Sequence, residues 1–339
     1  MSENALPGQG YLRSLLHVLL YPPVRAMLAL GAILVLGMVF HADGTFYKWD
    51  THRDMLRQIS VFGILACGMT LVIISGGIDL SVGSVLGHVA VTFALLSIHW
   101  GWHGALAVPA SLVAGAVLGL LVGAVIARFH IPPFIATLAM MVFARGLAKQ
   151  VSGGQKVGRS VEQEDGTFAF VDLPATFRYL DMQVFGNNLA VVTIIFLACA
   201  LFCHILLSRT RSGRYLYAIG GNEEAARLSG VPVTAVKVMA YALCGFFAAV
   251  AGLCQAAQET QGDPEAGMAY ELTAIAIVVI GGTSLMGGRG HMGLTLLGVL
   301  IIGYLDKILS INAVGESSRL MLTGSIILVA VLLQQARRH

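Results

Sequence analysis

From Val191 to Leu207 the chain reads VVTIIFLACALFCHILL, seventeen residues without one Asp, Glu, Lys or Arg. A hydrocarbon core about 30 Å thick needs about 20 mostly apolar residues per helical crossing, and this run is of that kind. Comparable runs predict spans at 26 to 40, 59 to 75, 80 to 98, 105 to 127, 133 to 151, 187 to 207, 238 to 258, 271 to 286, 291 to 310 and 319 to 335. Backbone in lipid must satisfy its own hydrogen bonds, which leaves helices or closed barrels. The runs are of helical length and lack the alternation over about 10 residues that marks barrel strands. The fold class is therefore all-α, a polytopic membrane helix bundle of about ten transmembrane helices, some of them broken or short. Composition agrees: 57% of the 339 residues are hydrophobic, only 12% are charged, and mean hydropathy is +0.80. A soluble domain carries about 25% charged residues.

Forty glycines would weaken soluble helices, but small residues let membrane helices approach closely. Gly115, Gly119 and Gly123, four residues apart, read as one such packing stripe. The five cysteines, Cys67, Cys199, Cys203, Cys244 and Cys254, all fall in apolar segments and read as packing thiols. Cys199 and Cys203 have a metal-pair spacing, but no accompanying His/Cys motif supports a metal site. A net charge of +3, with no basic run interleaved with aromatics, gives no reason to expect nucleic acid.

Leu12, Leu15, Leu16 and Leu19 predict a short interfacial helix within an N-terminal cytoplasmic segment, residues 1 to 25. No A-x-A site follows the run ending at Phe40, so the first span is expected to be retained. The transmembrane unit is then 26 to 335, with a polar loop at 209 to 237 and a tail at 336 to 339. Ten spans put both termini on one side. Placing the N-terminus inside assigns Arg13, Arg25, Arg128, Arg209, Arg211, Arg214, Arg227, Lys237, Arg289, Arg337 and Arg338 to the cytoplasm, eleven of the 21 basic residues. The total barely discriminates. The distribution favours this orientation, because Arg209, Arg211 and Arg214 crowd one span end.

Two segments interrupt the helical pattern in similar terms, VIISGGIDLSVGSVLG (72 to 87) and IVVIGGTSLMGGRGHMG (277 to 293). Irregular backbone in a membrane is tolerated where it is buried in protein or lines a watery cavity, so each is either pathway lining or a tight turn at the surface. Asp79 is an ionisable residue at such a break, and with Ser81 it either caps the next helix or contacts substrate or a gate. Pro132 and Pro133 suit a helix start; Phe134 and Thr137 just beyond offer a ring to stack on a sugar and a hydroxyl to bond one, or belong to an ordinary span. Thr283 and Ser284 are the polar residues of the second break. Arg145 and Lys149 sit where long side chains snorkel to the interface, and adjacent Asp306 and Lys307 read as span-end anchors. His88 and His204 read as core or interface histidines, and His99, Trp100, Trp102 and His103 as an interfacial aromatic cluster.

H-E-x-x-H and G-x-S-x-G are absent, and without a Gly-Lys dipeptide there is no Walker A loop. An ATP-driven function would need a separate nucleotide-binding chain. IGGNEEAARLSGVP (219 to 232) is the polar exception in an apolar chain. Asn222 is an N-cap, Glu223 and Glu224 favour the positive end of the helix dipole, Arg227 closes the last turn, and Gly230 and Pro232 stop it. These signals predict a helix of about two turns, marginal alone in water and so made to pack on something. Ala225, Ala226 and Leu228 give it a small apolar face.

EAARLSG (224 to 230) resembles the E-A-A-x-x-x-G cytoplasmic motif of permease subunits of bacterial ATP-binding-cassette importers. With SGGIDLSVGS (75 to 84), PPFIATLAMMVFARGLA (132 to 148) and ELTAIAIVVIGGTSLMGGRG (271 to 290), the chain from about 59 to 310 is similar to the ribose, xylose and galactofuranose branch of monosaccharide permeases. The resemblance implies a multi-pass subunit of the bacterial inner membrane, with both termini cytoplasmic and no catalytic residue or cofactor of its own. It implies an ABC ATPase subunit binding ATP and Mg, a periplasmic sugar-binding protein, and a second permease copy or paralogue as partners. On it, Asn222, Glu223, Glu224, Ala225, Ala226, Arg227 and Gly230 form the ATPase-coupling helix. Asp79, Ser81, Phe134, Thr137, Thr283 and Ser284 are the candidate pathway residues. Related permeases carry branched-chain amino acids or signalling sugars, and an ion-coupled secondary transporter is the alternative of another class, for which Asp79 is the one strong candidate.

Overall fold

The computed structural model describes residues 21–162 and 167–335. The interfacial helix expected around Leu12 to Leu19 and the tail from 336 lie outside the described residues. Each of the ten predicted spans folds as a helix: α1 (Pro22–Val39), α2 (Trp49–Ile74), α3 (Val82–Ala94, continued by a π-helical turn Leu95–His99), α4 (Gly104–Phe129), α5 (Pro133–Ser152), α7 (Val191–Arg209), α10 (Val233–Glu259), α11 (Tyr270–Gly281), α12 (Met292–Ile311) and α13 (Glu316–Gln335). Eight of them, α1 to α5, α7, α10 and α12, are long and apolar enough to cross a membrane. At 12 residues α11 is about 18 Å long and covers only part of the thickness.

The long polar connections fold as well. Between α5 and α7 lie two small antiparallel hairpins, β1 (Ser160–Glu162) with β2 (Phe168–Phe170) and β3 (Gln183–Val184) with β4 (Leu189–Ala190), and a short helix α6 (Ala175–Leu180). Between α7 and α10 lie α8 (Arg211–Gly221) and α9 (Glu223–Leu228). Sequence reading finds α9 but not α8, whose signals are Thr210, accepting from the Gly213 amide at 3.1 Å, and buried Leu216 and Ile219 three apart.

The core is α2, α3 and the middle of α10. The stripe of glycines on α4 closes against α10: a methyl on Gly119 would overlap the Tyr241 carbonyl and stand 2.9 Å from Gly245 Cα, and one on Gly115 would meet Ala249 Cβ at 2.6 Å. Backbones touch here, so a larger residue at 119 costs about 1–3 kcal/mol of overpacking.

The two breaks differ in kind. α11 and α12 are antiparallel neighbours, Gly298 lying on Ile277 and Gly281 on Leu294, so residues 282–291 are a turn at one end of that hairpin. Its Gly288 amide donates to the Ile74 carbonyl at 2.9 Å, which puts the turn beside the end of α2. α2 and α3, by contrast, scarcely touch. The chain leaves α2 at Ile74, turns at Gly76 (φ +83°), and runs through residues 77–81 inside the protein before α3 starts.

Residues 260–269 form a third irregular segment. They run antiparallel to α3: a methyl on Gly262 would meet Ala90 O at 2.6 Å, one on Gly87 would meet Ala266 O at 2.6 Å, and Gly267 lies on Gly83. α11 then begins at Tyr270, whose ring lies 4.3 Å from that of Phe62, halfway along α2. So α11 starts at mid-bundle, which is why it is short.

Candidate functional site

Both candidate regions depend on how the chain is capped. At α9, Asn222 Oδ1 accepts from the Ala225 amide at 3.0 Å, one of the four unpaired donors a helix start leaves. Glu223 and Glu224 follow in the first turn, where the dipole favours carboxylates. Glu223 is held by Lys237 of α10 at 2.5 Å, and Arg227 reaches back to Glu224 at 3.4 Å. Gly230, at φ +80°, donates its amide to the Arg227 carbonyl at 3.0 Å and ends the helix. One face is packed, Ala226 being 5% exposed, while Leu228 is 82% exposed at the tip. Glu224, Ala225 and Arg227 also face out. A cleft of about 870 Å³ separates α9 from the α4–α5 turn, lined by His130, Pro132, Glu223, Arg227, Pro232 and Lys237.

Asp79 lies well inside. It is 1% exposed, and its Oδ1 accepts from the Ser81 amide at 2.9 Å and the Ser81 hydroxyl at 2.6 Å, closing the turn that leads into α3. Burial of a carboxyl is costly without such partners. Thr137, fully buried on α5, donates to the Ile78 carbonyl at 3.4 Å. Tyr241 places its hydroxyl over Gly77, where a methyl would overlap it. Asp79, Ser81 and Thr137 thus come together around the first break. Phe134 does not join them: it is 58% exposed on the outer face of α5. Thr283 and Ser284 sit in the α11–α12 turn, Thr283 buried, Ser284 Oγ accepting from the Met286 amide at 3.3 Å.

Arg145 is a correction. It does not snorkel to the interface; its Nη1 donates to the carbonyls of Ala266 (2.8 Å) and Pro264, tying down the irregular 260–269 segment. Lys149 one turn on pairs with Glu265 at 2.6 Å. No motif marked this role, because the partners are backbone oxygens far along the chain. At that end Lys156 pairs with Asp263 at 2.8 Å, and residues Val157 and Gly262 exchange backbone hydrogen bonds. Burial works against the Asp263 carboxylate, but hydrogen bonds from Lys156 and the Glu265 amide, with the charges of Lys156 and Arg145, hold its pKa below the ordinary value. Trp100 and Trp102 lie with ring centres 6.3 Å apart, 64% and 43% exposed, as an interfacial cluster would. Among the described residues no group of three or more His, Cys, Asp or Glu side chains is placed to hold a metal.

Residues 53–331 match the family model described as "Branched-chain amino acid transport system / permease component". The ribose import permease protein RbsC of Escherichia coli (strain K12) is 37% identical over 316 residues, covering 91% of this chain and 94% of that protein. The fructose import permease protein FrcC of Rhizobium meliloti is 33% identical, covering 92% and 83%. The xylose transport system permease protein XylH of Escherichia coli (strain K12) is 32% identical, covering 93% and 92%. No solved structure matches the chain. A bundle of lipid-length helices, interrupted by buried irregular segments and matched over nearly its whole length by permeases, is a multi-pass transport subunit: the chain belongs to the family of transport-system permease components.

Proposed function

We propose that the protein is the membrane subunit of an ATP-driven importer that passes a monosaccharide across the bacterial inner membrane, with α9 as the helix on which a separate ATPase docks. The observation that carries this is α9 itself: a helix of under two turns, fixed by Asn222, Lys237 and Gly230, that holds Ala226 inside and offers Leu228, Ala225 and Glu224 outward. A helix this short is unstable alone, and its rigid mounting with an exposed apolar tip suits a surface that receives a partner. The cleft beside it gives that partner a second wall. On this reading residues 209–237, and with them both termini, face the cytoplasm. The ATPase binds the ATP and Mg, a periplasmic binding protein delivers the sugar to the opposite face, and a second permease copy or paralogue completes the membrane unit, 26 to 335 in each chain.

The family's description names branched-chain amino acids, whereas the relatives quoted above carry ribose, fructose or xylose in their names, which supports a sugar. Asp79 bonds within its own turn, which supports a capping role over a proton relay.

The test is recovery of the neighbouring ATPase with the tagged permease. Glu224→Lys and Gly230→Pro should each lower recovery and transport-coupled ATP hydrolysis, by about tenfold for a loss of roughly 1.4 kcal/mol of binding. Equal recovery and equal hydrolysis in the variants would defeat the docking role. Uptake of labelled ribose, xylose and fructose, with leucine as the comparison, names the substrate class.

A further inference from the structure

The helix that leads into α9 is seated on both breaks at once. α8 ends at Gly221, directly before the Asn222 cap. A methyl on Gly220 would run into the Ile74 carbonyl and stand 2.5 Å from the Gly288 nitrogen, the two partners of the hydrogen bond that joins the end of α2 to the α11–α12 turn. One on Gly287 would lie 2.8 Å from Gly220 O and 2.9 Å from Gly76 Cα, and one on Gly288 would lie 2.9 Å from Gly221 Cα. Gly76, Gly287 and Gly288 have φ of +83°, +80° and +70°, which lets their turns come this close. Nearby, the Tyr217 hydroxyl donates to the Gly290 carbonyl at 2.7 Å.

Three backbones therefore meet with no side chain between them. A side chain at such a contact would absorb a displacement by changing rotamer, whereas backbone against backbone moves as a unit. We propose that Gly220 is a positioning residue of the transport cycle, through which displacement of α9 is carried simultaneously to the break that holds Asp79 and to the α11–α12 turn. This rests on α9 being the ATPase-docking helix. Gly221, one position on, supplies the control, since nothing lies within 4 Å of a methyl placed there.

The experiment uses the full-length permease in complex with its ATPase in lipid nanodiscs. A spin label is placed at Met286→Cys, an exposed position in the α11–α12 turn, with Cys199 replaced by Ser. Label mobility is read without nucleotide and with ATP and vanadate. Gly220→Ala should shrink the nucleotide-dependent change about fivefold while the ATPase stays bound and hydrolyses ATP, and Gly221→Ala should leave it intact. Tyr217→Phe, which keeps the packing and removes one hydrogen bond, should shrink it about twofold. A Gly220→Ala response equal to that of Gly221→Ala overturns the proposal. Should Gly220→Ala fail to assemble, a full response in Tyr217→Phe overturns it instead. Failure of the unsubstituted chain to bind the ATPase refutes the docking reading and is seen separately, in the recovery step.

Discussion

A carboxylate at the start of a span invites two explanations, and the geometry of Asp79 separates them. Its Oδ1 accepts from the Ser81 amide and hydroxyl, and both are bonds that a side-chain amide oxygen can also accept. Asp79→Asn is therefore expected to keep fold and transport. Asp79→Ala leaves the Ser81 donors buried without a partner and costs about 1–3 kcal/mol, read as a lower melting temperature of the purified subunit. A folded Asp79→Asn that transports nothing would show instead that the charge itself acts on substrate or gate. The same residue marks what was legible. Its polarity, neighbouring glycines and capping pattern are all local and can be read from the sequence. Its depth is not, because that follows from α2 and α3 lying apart, a fact of tertiary packing.

At the level of elements, helices announce themselves by apolar length and caps, and all ten spans and α9 follow that rule. α8 went unseen because its apolar face is small and its polar residues look like loop. The 260–269 segment is acidic and irregular, the local signals of an ordinary connection; its penetration to mid-bundle depends on Arg145, 115 or more residues earlier in the chain. That role is testable. Arg145→Met removes the donors to Pro264 and Ala266 and should cost about 1–3 kcal/mol, with faster amide hydrogen exchange across 260–269. Arg145→Lys should restore only part, because its shorter side chain does not carry a donor nitrogen to the place that Nη1 occupies between the two carbonyls. Unchanged exchange in Arg145→Met would mean the segment is held by its other contacts, those with Gly83, Gly87, Lys149, Lys156 and Val157.

Across the whole molecule the two ends are built differently. At the α9 end, glycine backbones meet directly. At the other end, charged pairs fasten the long connection after α5: Arg57 to Asp181 at 2.6 Å, and Lys156 to Asp263 at 2.8 Å. The Lys156–Asp263 contact responds to pH. The Asp263 pKa is lowered in the folded protein, so the folded state binds fewer protons there than the unfolded state does at acidic pH. Its contribution is then fully present above the ordinary carboxylate pKa of about 3.9 and is lost as pH falls from there through the lowered value. Lys156 is well exposed, so the effect should be modest and weaker in high salt. Asp263→Asn is expected to lower the melting temperature at pH 7, and to do so progressively less as pH falls below about 3.9. At Val157 and Gly262, whose backbones pair beside this contact, the protection factor against hydrogen exchange should fall with acid in the unsubstituted chain and be low throughout in the variant. A penalty that stays constant from pH 7 to pH 3 would show that Asp263 acts through the amide of Glu265 and packing, with its charge playing no part.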